Sequence, residues 1–107
     1  MNDRVLSLLG LCRRAGKLSC GHDAAIASIV KNSAKLCILC SDASPRLVSE
    51  IEHAASYEGK AITVLKTDYT LYNIASAVGT KAKVFTVDDE GFALRIKEIY
   101  TAERGNR

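Results

Sequence analysis

The chain has 107 residues, of which 48% are apolar and 25% charged, with a formal net charge of +3. At ~100–150 residues per domain this leaves room for one hydrophobic core, and the proportions exclude a disordered or fibrous chain. No apolar run approaches the ~18 residues of a membrane span, and the short apolar stretch behind Arg4 ends at Arg13-Arg14 without a small-x-small cleavage site, so it reads as mature, cytosolic protein.

Val5, Leu8, Leu9 and Cys12 follow the spacing of an amphipathic helix, capped by Asn2 or Asp3 and stopped near Gly16. Lys17-Leu18-Ser19 alternates and reads as a brief strand. Gly21-His22-Asp23 opens a second helix, with Ala25, Ile26, Ile29 and Val30 facing inward and Asn32 closing it. The continuous apolar run from Leu36 to Cys40 predicts a strand buried on both faces. Ser44-Pro45 starts a third helix, since serine caps and proline tolerates the first turn. Its buried stripe is Leu47, Val48, Ile51, Ala54 and Ala55, and Gly59 ends it. Ala61 to Leu65 is the next strand. Thr67 or Asp68 then caps a fourth helix with Leu71, Ile74, Ala75 and Val78 inside and Gly79 at its end. Lys83 to Val87 is the last strand, and Asp88-Asp89-Glu90-Gly91 is a turn whose acids suit a helix N-terminus. A final helix packs through Phe92, Ile96 and Ile99. Short apolar strands alternating with helices predict the α/β class: a three-layer α/β/α sandwich with a small, mostly parallel sheet flanked by helices. One domain is expected over residues 1–103, with a short basic tail over 104–107.

The charge is unevenly spread. Residues 1–35 carry a net +4, from Arg4, Arg13, Arg14, Lys17, Lys31 and Lys35 against Asp3 and Asp23, whereas residues 36–107 carry −1. A local patch of this kind suits a phosphate-bearing partner, and an ordinary solvated face is the plain alternative. Cys37 and Cys40 have the spacing of a redox or zinc pair, but i and i+3 in a strand point to opposite faces. The cysteines Cys12, Cys20, Cys37 and Cys40 are therefore expected as free thiols, with no metal site. His22 and His53 have no nucleophile motif beside them, and no cofactor loop is present, so the sequence asks for no enzyme and no small-molecule substrate.

Two stretches stand out. Arg13 and Arg14 end one helix, Lys17 follows, and Gly21-His22-Asp23 begins the next. A helix N-terminus offers unpaired N–H groups and partial positive charge, and glycine permits close backbone approach. The plain alternative makes Gly21 a turn, Asp23 a first-turn acid and His22 a cap. The loop Gly79-Thr80-Lys81-Ala82-Lys83-Val84 mixes two lysines with small apolar residues. It belongs at the same edge if the sheet brings it there, and is otherwise a solubilising loop.

The run RRAGKLSCGHDAAIASIVKNSAKLCILCSDASP, followed by NIASAVGTKAKVFTVDDEGFA, resembles the YlxQ-type bacterial ribosomal-protein family, the bacterial branch of the kink-turn-binding superfamily. The likeness runs from about Val5 to Ile99. It implies an α/β/α fold and non-catalytic binding to structured RNA, ribosomal or ribosome-associated, with no cofactor and no membrane partner. It also implies that the N-terminus of the second helix enters the RNA groove while the loop after the fourth helix covers bulged nucleotides. Those elements map here onto Gly21, His22, Asp23 and Ala24 with Ala27 and Lys31, and onto Thr80, Lys81, Ala82, Lys83 and Val84.

The chain departs from the family pattern at three positions. Kink-turn readers carry Asn or Lys where this chain has Asp23, Glu or Gln at Ala24, and Lys at Ala27. A bidentate base contact is worth ~1–3 kcal/mol, so its loss predicts weaker or altered RNA specificity. Positioning would then fall to Arg13, Arg14, Lys17, Lys31, Lys81 and Lys83. The alternative function is a protein-interaction or assembly module on the same fold, for which Ala24 and Ala27 speak.

Overall fold

The computed structural model describes residues 3–104. Five helices and four strands alternate: α1 (Arg4–Arg14), β1 (Leu18–Cys20), α2 (His22–Val30), β2 (Leu36–Leu39), α3 (Pro45–Ser56), β3 (Thr63–Lys66), α4 (Leu71–Val78), β4 (Val84–Val87) and α5 (Glu90–Arg104), with a 3-10 turn at Tyr57–Gly59.

Side-chain chemistry sets most of the boundaries. Asp3 caps α1 by accepting from the Val5 and Leu6 N–H groups, while Asn2, the other expected cap, lies outside the described residues. The helix closes in a Schellman turn, the Lys17 N–H reaching the Cys12 carbonyl and the Gly16 N–H that of Arg13. Ser44 caps α3 through the Leu47 N–H, with Pro45 at its first position. The cap of α4 is Thr70, in a reciprocal box with Asn73, and not Thr67 or Asp68 as the sequence suggested. Those two are spent elsewhere. The Thr67 hydroxyl donates to the Leu39 carbonyl, and Asp68 holds the Arg104 guanidinium at 3.1 Å. Arg104, expected in the basic tail, is thus the last residue of α5.

The sandwich has the predicted three layers. Helices α1, α4 and α5 bury Val5, Leu9, Ile74, Val78 and Ile96 against Leu36, Ile38, Cys40 and Phe85 on one sheet face. Helices α2 and α3 bury Ala25, Ile29, Ile51 and Ala55 against Cys37, Leu39 and Val84 on the other. Strand alternation therefore separates Cys37 from Cys40, and all four thiols are free. One inward assignment fails: Val30 ends α2 at 67% exposure, and Ser28 takes the inner position instead.

The sheet is mixed, where a mostly parallel one was expected. Its order is β1-β4-β2-β3, with only β2 and β3 parallel and β4 antiparallel to both neighbours. The cause lies in α4. Its first N–H, at Leu71, is held by the Asp42 carboxylate just past the end of β2. Its far end leads to Thr80, which Arg13 holds beside the end of β1. With eight residues, about 12 Å of rise, α4 runs along one sheet edge and does not carry the chain back to the other. β4 therefore starts where β2 stops, with the Cys40 N–H bonded to the Lys83 carbonyl at 2.9 Å.

Candidate nucleic-acid interface

That reversal gathers the two stretches singled out in the sequence. The ends of β1 and β2 and the start of β4 share one edge, so α2 and the 79–83 loop emerge side by side. The Gly21 N–H donates to the Val84 carbonyl at 2.9 Å. Gly21 needs φ +95° and ψ 168°, a region essentially closed to other residues, and with it the chain turns from strand directly into helix. Arg13, from the last turn of α1, donates through Nη1 to the Thr80 hydroxyl and to the Cys20 thiol at 3.3 Å. The Cys40 thiol reaches the Ala82 carbonyl at 3.6 Å. Arg13, Lys81 and Lys83 are exposed along this edge, and Thr80 and Ala82 are half-buried.

Other expected site residues lie elsewhere. The Lys17 backbone accepts from the Asp88 N–H at 2.8 Å, at the opposite end of β4, roughly 13 Å along the strand from Gly21. Lys31 closes α2 at that same far end. Neither joins Arg13 and Lys83. Arg14 turns from the edge toward a groove of about 440 Å³ between α1 and α4. Val84 is 1% exposed, its side chain packed in the core, so it serves the edge only through its carbonyl. Ala24 and Ala27 are exposed on α2 and present only methyl groups.

No side chain caps α2, and His22 does not act as the cap. Its Nδ1 lies 3.2 Å from the Asp23 carboxylate and its Nε2 3.1 Å from Glu50 on α3. Arg46 faces Glu50 at 3.9 Å. The hydrogen bonds that its ring donates to Asp23 and then to Glu50 raise the His22 pKa above its ordinary value. The N-terminus of α2 thus carries two carboxylates bridged by an imidazole, which adds negative charge beside the basic loop. Glu50 escaped sequence reasoning because its partner is 28 positions away, on another helix.

Away from this edge the Arg104 hydrogen bond lowers the Asp68 pKa and Asp68 in turn raises that of Arg104, and four thiols and one phenol are displaced as well. Burial pushes Cys12 up to about 12 and Cys37 and Cys40 up to about 11. Cys20 is also raised by burial, with Arg13 pulling it back. Tyr69 is raised by burial and by its bond to Asp3. These thiols stay protonated and poorly nucleophilic near neutral pH. Among the described residues no group of three His, Cys, Asp or Glu side chains is placed to hold a metal ion, and no helix is long and apolar enough to cross a membrane.

Known proteins resemble the chain over almost its whole length. It is 32% identical over 96 residues to the RNA-binding protein YlxQ of Enterococcus faecium, covering 90% of each chain. A Bacillus halodurans protein of unknown function superposes with TM-score 0.79 at 24% identity, over 92% of this chain and 98% of that one. The 15.5kD RNA binding protein of Giardia lamblia superposes with TM-score 0.68 at 18% identity, over 95% and 92%. At those identities the two structures speak for the fold alone. A family profile described as ribosomal protein L7Ae/L30e/S12e/Gadd45 matches residues 3–95, and the chain belongs to that family.

Proposed function

We propose that this chain is a non-catalytic, ribosome-associated RNA-binding protein of the cytoplasm that acts in translation. It recognises structured, kink-turn-like RNA through the N-terminus of α2 and the loop after α4. The observation that carries this reading is the joining of the two elements at one edge by the Gly21–Val84 hydrogen bond, with Arg13 of α1 clipped to Thr80 of the loop. The E. faecium relative, named as RNA-binding, supports the partner class. Arg13, Lys81 and Lys83 supply phosphate contacts, and the uncapped α2 N-terminus supplies N–H donors. Asp23 and Glu50 oppose phosphate, and Ala24 and Ala27 cannot hydrogen-bond bases through their side chains. Affinity therefore rests on backbone contacts and shape more than on base reading.

The test is a titration against a kink-turn RNA and a straight duplex of equal length, each at two salt concentrations. Preference for the kinked RNA at both salts supports the reading. Equal, steeply salt-dependent binding reduces it to a basic patch. Absence of binding favours the second reading, a protein-interaction module. One observation speaks for that module: a groove of about 410 Å³ between α2 and α3, lined by Ile29, Val30, Ala54 and Tyr57, leaves Val30 and Tyr57 exposed.

A further inference from the structure

Among the described residues Leu11, Val30, Tyr57, Tyr72 and Leu94 are large apolar side chains left exposed; Val30 and Tyr57 share the groove between α2 and α3, while Leu11 and Leu94 stand singly and need no explanation. Tyr72 differs from the rest in two ways. It lies in the first turn of α4 at 69% exposure, next to Leu71, whose N–H is pinned by Asp42 at the same sheet edge as the basic loop. The ammonium of Lys81, from that loop, stands 5.8 Å from the centre of its ring. Tyr57, by contrast, packs its ring on His53 at 5.3 Å.

We infer that Tyr72 is a stacking platform for one unpaired base of the bound RNA, with Lys81 taking the adjoining phosphate. This rests on the RNA-binding reading and deepens it by adding a residue outside the two elements that define the edge. The physical grounds are threefold. An exposed phenol ring offers any base a π-face at little entropic cost, since the tyrosine has two side-chain torsions. The ring is carried on a helix whose Ile74 and Val78 are buried in the protein, so its position is set before RNA arrives. Lys81, at the outer limit of a cation–π contact, can exchange the ring for a phosphate with little loss. The resulting pair, an aromatic face beside a flexible ammonium, is the arrangement that holds single-stranded nucleotides without reading their identity.

The experiment measures the affinity of wild type, Tyr72→Ala, Tyr72→Phe, Lys81→Ala and Arg13→Ala for two RNAs. One is a kink-turn RNA with its unpaired nucleotides intact, and the other has those nucleotides abasic. Expected is a loss of about five- to 150-fold for Tyr72→Ala on the intact RNA, the range for one stacked base. The same variant loses less than about twofold on the abasic RNA, while Tyr72→Phe stays near wild type on both. Lys81→Ala flattens the salt dependence by about one phosphate, and Tyr72→Ala does not. Equal losses on both RNAs, or a Tyr72→Phe loss matching that of Tyr72→Ala, overturn stacking. An unchanged Tyr72→Ala beside a weakened Arg13→Ala overturns the platform and leaves the RNA reading standing. Failure of the wild type to prefer the kinked RNA overturns both.

Discussion

Arg13 and Thr80, 67 positions apart, are joined by a hydrogen bond from the guanidinium Nη1 to the threonine hydroxyl. It clips the C-terminus of α1 to the basic loop and holds a cation beside the first turn of α2. Arg13→Ala is expected to lower affinity for structured RNA about five- to tenfold and to flatten the salt dependence by about one phosphate. Because the residue is exposed, the melting temperature should move by no more than about 4 °C. A large fall in melting temperature with unchanged affinity would assign Arg13 to stability alone.

His22 makes the same edge sensitive to pH. Its folded pKa is raised, so the stability it contributes is complete below the unfolded value of about 6.5 and is lost as pH rises through the higher folded value. Solvent screening keeps the gain small, about 0.2–1 kcal/mol. The imidazolium also offsets Asp23 and Glu50, the second of which faces Arg46 at 3.9 Å. Expected is stronger RNA binding at pH 6 than at pH 8, with a smaller difference in His22→Gln. An NMR titration should place the His22 midpoint above about 6.5, and a midpoint below that removes the bridge from the argument.

Asp88 ties three elements together. Its carboxylate accepts from Ser28 on α2 at 2.6 Å, from Thr86 on β4 at 2.9 Å, and from Ser19 on β1. Ser28 and Thr86 are buried, so Asp88→Ala leaves two hydroxyls with no acceptor and should cost about 2–4 kcal/mol. In urea unfolding the midpoint should drop by about 1 M or more. A shift of a few tenths would mean that the hydroxyls find other partners.

Gly10 permits the close approach of α1 to α4. A Cβ placed there would meet the Ala77 carbonyl oxygen at 2.9 Å, a backbone atom that cannot step aside. Alanine in mid-helix normally gains about 1 kcal/mol over glycine, but overpacking costs about 1–3 kcal/mol. Gly10→Ala is therefore expected to be neutral to about 2 kcal/mol destabilising, and Gly10→Val worse. Because α4 carries the basic loop, both should also weaken RNA binding. A Gly10→Ala protein more stable than wild type would show that the helices separate freely.

Local pattern carried a great deal. The helical spacing of Val5, Leu9 and Cys12, the Ser44-Pro45 start and the apolar run from Leu36 are all short-range signals, and each marked an element that forms. The divergence of Cys37 and Cys40 followed from the two-residue period of a strand. Near the ends of elements the pattern misled. Val30 satisfies the helical period but ends α2 in the open groove beside α3, and Thr70 outcompeted Thr67 and Asp68 because those side chains found distant partners.

What the chain's order alone determined was the set of amphipathic pieces, the layers they form, and the family likeness. The direction of β4 was decided only in three dimensions, by a short α4 held at both ends along one sheet edge. That one reversal brought Gly21 to Val84 and Arg13 to Thr80, and left Lys17 and Lys31 at the other end of the strand. The pairings of His22 with Glu50 across α2 and α3, and of Tyr72 with Lys81 from the two ends of α4, are likewise tertiary contacts. Periodicity records which side of its own element a residue faces, whereas a binding edge is made by partners tens of residues apart, which no local spacing encodes.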